Sequence, residues 1–335
     1  MSFPGIKYCP GTLAEGFDTY SQNCLNRVFG GKKVHHILPY GGPKESEEVA
    51  AKFRENRKRI SISGVQEKLS LILEKNKLRL TEEGEQGTYI LKPIPRDLKK
   101  VGQIPANEHL TMQIARQVYG IQTAENALVF FSNGEPAYIT KRFDVKEDGN
   151  KLGVEDFASL AGKTSENDGD EFKYNYSYEE IGELIKSYVP AYRIELEKYF
   201  QLVVFNYLFS NGDAHLKNFS LLETPNGDHT LSPSYDLINT RIHVNDGDFA
   251  LDEGLFIDGF ESNKVRTNGR VGLHDFQEFG RRLGIGGQRM EKLLKPFLTK
   301  QALVESLIQR SFLNPETKDF YLKEYLFRYG QLNKI

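Results

Sequence analysis

The chain has 335 residues, a hydrophobic fraction of 39%, a charged fraction of 27% and a formal net charge of −2. That length and mix describe a folded protein with a core large enough for about two domains or lobes. The near-neutral charge argues against a basic nucleic-acid-binding module and against attraction to anionic membranes, and no apolar run approaches the ~20 residues of a membrane span.

Residues 1–50 are irregular, rich in Gly, Pro and His, and carry both cysteines, Cys9 and Cys24. Two cysteines do not build a disulfide framework, and Met1 to Pro10 lacks the basic-then-apolar layout of a signal peptide, so a reducing cytoplasm is expected. Residues 45–59 are charged and helix-compatible, with Arg54, Arg57, Lys58 and Arg59 near the end, as in a solvated helix face. The texture then changes. Leu69 to Leu73 reads as a strand, Asn76 as a turn and Lys77 to Thr81 as a returning strand. Thr88 to Lys92 is a third strand, stopped by Pro93 and Pro95. Pro105 opens a helix with Leu110, Ile114 and Val118 at helical spacing, and Gly120 ends it. Asn126 to Phe131 and Ala137 to Arg142 are strands joined by the turn Ser132-Asn133-Gly134.

Beyond this point the pattern is helical. Tyr178 to Tyr188 forms one helix. Pro190 starts another, which runs through Phe200, Leu202, Val203, Val204, Phe205, Leu208 and Phe209 and is apolar nearly all round, so it belongs in a core. Two short strands follow near Phe219–Leu222 and His229–Leu231, split by Pro225-Asn226-Gly227, and residues 273–330 read as about three helices. The expected fold class is α+β. The expected organisation is an N-terminal extension over residues 1–59, a β-rich lobe over 60–145 and an α-helical lobe over 146–335.

The helix ending near Phe209 delivers Asn211-Gly212-Asp213-Ala214-His215-Leu216-Lys217-Asn218. Asp213 and Asn218 have the Asp-x-x-x-x-Asn spacing of a protein-kinase catalytic loop, in which the Asp receives the substrate hydroxyl and the Asn holds Mg²⁺. Phosphoryl transfer also needs a backbone cover over the phosphates, a cation that touches them and a second metal ligand. Ser61-Ile62-Ser63-Gly64-Val65-Gln66-Glu67-Lys68 can serve as the cover, because a glycine lets backbone N–H groups approach phosphate oxygens, although an ordinary turn has the same composition. Lys92 ends a strand as the phosphate-holding lysine of kinases does, though edge strands often carry lysine too. Glu108 can pair with it, and an acid near a helix start is also favoured by the helix dipole. Asp236, after Pro233-Ser234-Tyr235, stands where the second Mg²⁺ ligand belongs, or simply caps a turn. His215 has no second His or Cys near it and suits a packing or orienting role better than zinc ligation. Lys217 is placed to neutralise charge on a transferred phosphoryl group. Each residue has an ordinary structural explanation taken singly; their order along the chain, spanning the change from strands to helices, favours a kinase.

These segments, together with Ile90-Leu91-Lys92-Pro93, Asn107-Glu108 and Lys141-Arg142-Phe143-Asp144, resemble the HipA-like family of bacterial Ser/Thr kinases, the toxins of toxin–antitoxin operons. The resemblance covers about residues 60–240. It implies a two-lobed protein-kinase-like fold and dependence on ATP and Mg²⁺. It also implies catalysis by Asp213, metal binding by Asn218 and Asp236, and contact of Lys92 with the ATP phosphates. Ser63, Gly64, Val65, Gln66, Lys68, Glu108, His215 and Lys217 would complete the ATP site, with Lys141 to Phe143 on the adenine side. In this family a serine of the Gly-containing loop is autophosphorylated, which falls on Ser61, with Ser63 as a second candidate.

The resemblance further implies a protein substrate of the kind exemplified by aminoacyl-tRNA synthetases, and a DNA-binding antitoxin as partner. Full-length members carry an additional N-terminal subdomain, whereas only residues 1–60 precede the loop here. The chain therefore resembles the short HipT-like toxin of a tripartite operon, in which that subdomain is a separate small protein. Some relatives also carry a four-cysteine zinc knuckle near the start. Cys9 and Cys24 cannot close such a site alone, and His35 and His36 are the nearest residues that could complete it. Two other readings stay open: a pseudokinase or nucleotide-binding scaffold for an antitoxin, and a small-molecule kinase.

Overall fold

The structure, a computed structural model, describes residues 5–42, 67–95, 98–146, 148–262, 265–266 and 269–333. Packing divides the chain into two compact units. The first comprises Met1–Ile114, Ala124–Lys151 and Glu305–Lys318, and the second Ala115–Thr123, Leu152–Val304 and Asp319–Ile335.

The first unit is built on a five-stranded antiparallel sheet of β1 (Leu69–Glu74), β2 (Lys77–Leu80), β3 (Tyr89–Lys92), β4 (Asn126–Phe130) and β5 (Pro136–Lys141), in the order β2-β1-β3-β5-β4. The two tight hairpins follow from turn chemistry. Lys75 and Asn76 both adopt positive φ, 45° and 66°, which matches the right-handed twist of the strands they join, and Gly134 does the same at 89° between β4 and β5. Alternation sends Leu69, Leu71, Leu91, Val129 and Ile139 to one face, where they form a core with Cys9, Tyr20, Cys24, Val28, Phe29 and Leu38.

The N-terminal residues of that core include α1 (Gln22–Phe29), a helix within the stretch expected to be irregular. Its signals are brief: Ser21 caps it by accepting the Cys24 N–H, and Gly30 closes it at φ +61°. Eight residues carry too little periodicity to stand out. The Tyr20 hydroxyl donates to the Leu128 carbonyl at 2.7 Å, and the Tyr89 hydroxyl to the Val28 carbonyl at 2.9 Å, so side-chain bonds stitch this segment to the sheet. Both cysteines are buried free thiols. Helix α2 (Ile104–Gln117) begins one residue before Pro105, and Gly120 follows it at φ +66°.

The second unit contains a three-stranded antiparallel sheet of β6 (Val154–Asp156), β7 (Ser220–Glu223) and β8 (His229–Leu231). Its helices are α3 (Phe157–Leu160), α4 (Ser165–Asp168), α5 (Tyr178–Tyr188), α6 (Tyr192–Leu208), α7 (Leu273–Arg282) and α8 (Gly287–Leu298), while α9 (Ala302–Arg310) and α10 (Pro315–Asn333) contribute residues to both units. Helix α5 opens with a capping box between Ser177 and Glu180. Helix α6 begins at Tyr192, after a turn that contains Pro190, and buries Leu196, Tyr199, Phe200 and every residue from Leu202 to Leu208. Residues 273–333 hold four helices where about three were expected, because Thr299 adopts extended backbone and breaks a run that looks continuous in sequence. No helix among the described residues is long and apolar enough to cross a membrane.

Candidate functional site

The candidate residues fall into two groups, one in each unit. In the first unit Lys92 ends β3 and lies opposite Tyr138 of β5 in the strand register. Its Nζ is 2.6 Å from Oε1 of Glu108 on α2 and 5.4 Å from the centre of the Tyr138 ring. Lys92 is 3% exposed and Glu108 2%, so the pair is closed to water, and losing one charge of a buried pair typically costs several kcal/mol, on the order of 3–5. Lys141 ends β5 and donates its backbone N–H to the Glu125 carbonyl at 2.7 Å, while Arg142 chelates Asp144, with Nε 3.0 Å from Oδ1. Lys141 and Phe143 are half-buried, and Lys68 stands one residue before β1. Ser61, Ser63, Gly64, Val65 and Gln66 lie outside the described residues.

In the second unit the buried end of α6 sets the start of the loop. Ser210 takes φ +53°, turning the chain sharply, and the Asn211 side chain donates to Asn206 Oδ1 at 3.1 Å. The Gly212 N–H donates to Thr240 Oγ1 at 2.9 Å, and the Asp213 N–H to Asn211 Oδ1 at 3.4 Å. The Ala214 carbonyl accepts the Tyr178 hydroxyl of α5 at 2.9 Å, anchoring the loop from below. Deeper support comes from Arg328 of α10, which is 2% exposed, bonds Ser210 Oγ through Nε at 3.2 Å and pairs with Asp248 at 2.6 Å.

Asp213 keeps 53% of its side chain exposed, although it stands in a dense setting. Partial desolvation raises its pKa; Asp236 and Asp246 push the same way, while Lys173 and the Tyr174 hydrogen bond oppose them. His215 is buried, and desolvation, reinforced by Lys173, lowers its pKa to about 3, so the imidazole is neutral at physiological pH. Its Nε2 lies 3.7 Å from Asp213 Oδ1. Lys217 places its ammonium 5.7 Å from the Phe172 ring centre.

Asn218 and Asp236 each carry a hard oxygen donor. Asn218 Oδ1 is buried without a hydrogen-bond partner, as an oxygen kept for a cation would be. Asp236 holds φ +55°, a backbone state that L-residues other than Asn and Asp seldom adopt. The chain around it is tied to the loop, since the Tyr235 hydroxyl bonds Ser220 Oγ and donates to the Lys217 carbonyl at 3.1 Å. Among the described residues no group of three His, Cys, Asp or Glu is arranged to hold a metal. An amide oxygen with one carboxylate suits Mg²⁺, which keeps waters and phosphate oxygens as its remaining ligands.

Sequence reasoning missed Lys173 and Tyr174, Thr240, Asp246 and Arg328. Nothing in the composition of Phe172-Lys173-Tyr174 marks that segment, and these residues reach the loop only through folding.

Three comparisons with known proteins bear on the site. A family model described as HipA-like C-terminal domain matches residues 60–304. A putative kinase of Haemophilus influenzae is 27% identical over an alignment covering 100% of this chain and 98% of that protein. The serine/threonine-protein kinase toxin HipA of Shewanella oneidensis is 26% identical, over 67% of this chain and 55% of that protein. Among solved structures, HipA of Shewanella oneidensis in complex with HipB and operator DNA aligns with a TM-score of 0.61 at 21% identity, covering 82% of this chain and 65% of that one. The chain thus spans nearly all of the Haemophilus protein but less than two thirds of the Shewanella toxin. The structural likeness establishes an α+β, two-lobed, protein-kinase-like fold.

Proposed function

The chain belongs to the HipA-like C-terminal domain family, and from that premise we propose that it is an ATP- and Mg²⁺-dependent serine/threonine protein kinase that acts as a bacterial toxin in the cytoplasm. The observation that carries this reading is the loop in the second unit. Asp213 presents a half-exposed carboxylate held by the Tyr174 hydroxyl, and Asn218 keeps a buried oxygen without a hydrogen-bond partner.

Lys92, held by Glu108, would touch the ATP phosphates, with Ser63, Gly64, Val65, Gln66 and Lys68 as their cover and Lys141 and Phe143 on the adenine side. Asn218 and Asp236 would hold Mg²⁺, which when bound neutralises phosphate charge. Asp213 would orient a Ser or Thr hydroxyl toward the γ-phosphorus. As the oxygen–phosphorus bond to the acceptor forms, the bond to the ADP oxygen breaks and the hydroxyl proton passes to Asp213. Lys217 would balance charge on the moving phosphoryl group, and neutral His215 would orient the loop. Most of the rate gain then comes from positioning and electrostatics.

Autophosphorylation at Ser61 or Ser63 would regulate the enzyme, because a phosphate adds about −1.5 to −2 of charge where anionic nucleotide must bind. The partners proposed are a protein substrate such as an aminoacyl-tRNA synthetase, a DNA-binding antitoxin and a separate small protein equivalent to the N-terminal subdomain. The Shewanella neighbour, solved with HipB and operator DNA, supports the antitoxin.

The test is transfer of label from γ-labelled ATP to the chain and to the proteins of a bacterial lysate, followed by intact-mass and peptide analysis. Asp213→Asn is expected to abolish transfer while leaving the fold and ATP binding intact. Undiminished labelling by that variant would overturn the assignment.

A further inference from the structure

A short segment between α4 and α5 contacts the catalytic loop through successive residues. The Phe172 ring lies 5.7 Å from Lys217 Nζ, and the Lys173 carbonyl accepts the Leu216 N–H at 3.1 Å. The Lys173 ammonium sits 4.8 Å from the centre of the Tyr174 ring. That ring meets the His215 imidazole edge-on, with centroids 5.2 Å apart at 73°. The Tyr174 hydroxyl donates to Asp213 Oδ1 at 3.0 Å. The segment's own backbone is pinned from the other side, where the Tyr174 carbonyl accepts the Asp252 N–H at 2.9 Å.

An aspartate that acts on a hydroxyl must aim one oxygen at the acceptor. An ionised carboxylate has two acceptor oxygens on a side chain that rotates readily, so an exposed one samples several orientations. Here one oxygen is engaged. The tyrosine donates to Oδ1, and the neutral imidazole stands beside the same atom at 3.7 Å.

We propose that Tyr174 is a positioning residue for phosphoryl transfer: its hydroxyl fixes Oδ1 of Asp213 and thereby presents Oδ2 to the acceptor hydroxyl, while Phe172 and Lys173 clamp the segment to the loop. The proposal rests on the kinase reading above. It assigns a role to a residue 39 positions from Asp213 in sequence. The Asp252 contact ties the same residue's backbone to a further part of the chain.

Tyr174→Phe tests the idea, because it removes one oxygen and keeps the ring that packs on His215. Label transfer from γ-labelled ATP to the chain itself and to lysate proteins is measured at saturating and limiting ATP, well below the melting temperatures of both proteins. A hydrogen bond to a charged but half-exposed carboxylate predicts a fall of about tenfold in the rate at saturating ATP. The KM for ATP and the melting temperature stay unchanged. A lowered turnover at unchanged KM and unchanged melting temperature is a pattern that a residue that merely packs would not give. A Tyr174→Phe rate equal to wild type overturns the proposal and leaves the kinase reading standing. Absence of transfer by the wild-type chain to any acceptor overturns both.

Discussion

The ammonium of Lys92 and the carboxylate of Glu108 lie 2.6 Å apart with both side chains almost closed to solvent, at 4% and 3% exposure. A buried charge pair joins a strand end to a helix there.

Removing one member takes the nearest opposite charge away from a buried group. Glu108→Ala is expected to lower stability by about 3–5 kcal/mol in chemical denaturation, whereas Lys92→Met with Glu108→Leu, which removes both charges, regains much of that loss. A double variant no more stable than the single would show that the pair is not what holds this region.

Gly212 and Asp246 make a second close relationship. A Cβ placed on Gly212 would come within 2.3 Å of Asp246 Oδ2, so the loop runs against that carboxylate with no room for a side chain. Gly212→Ala is expected to cost about 1–3 kcal/mol and to displace the neighbouring Asp213. Shortening the obstacle with Asp246→Ala in the same chain should restore part of the melting temperature. If the added Asp246→Ala restores nothing, the contact is not the cause.

Buried histidines set an acid limit. Desolvation lowers the pKa of His109 to about 4 and of His36 to about 4, from an unfolded value of about 6.5. Between those values the unfolded chain binds protons that the native chain refuses, so stability falls as pH drops from about 6.5 toward 4. Asp213 and Asp246, with raised pKa values, act in the opposite sense near the carboxylate range. His109→Gln removes one titrating group and should flatten the slope of stability against pH in that window by up to about 1.4 kcal/mol per pH unit. An unchanged slope would mean that His109 is protonated in the native protein.

Local signals carried a good part of the fold. The β1–β2 hairpin was readable from Asn76 between two apolar runs, and α5 from its periodicity. Helix α6 was readable as a buried helix because its apolar residues occupy all faces. Helix α1 was legible in principle, since Ser21 and Gly30 bracket it, but it is too short to assert itself. The break at Thr299 was missed because a single extended residue between helices leaves no compositional trace.

The site divides along the same line. As candidates, Asp213 and Asn218 were legible through their Asp-x-x-x-x-Asn spacing, Asp236 through its place after a short hairpin, and Lys92 because a proline marks the end of its strand. Tyr174 was not, for its bond to Asp213 spans 39 residues, and neither was Arg328, whose bond to Ser210 spans 118.

By itself, the sequence determined the longer strands and helices, and which acids, amides and lysines are available for phosphate chemistry. Those properties depend on neighbours a few positions away, through backbone preference and periodicity. Tertiary structure alone decided that Glu108 closes on Lys92, that Tyr174 engages one oxygen of Asp213 and that Gly212 has no space beside Asp246. Such contacts join residues far apart in the chain, and they form only when close packing of the core brings their backbones into register.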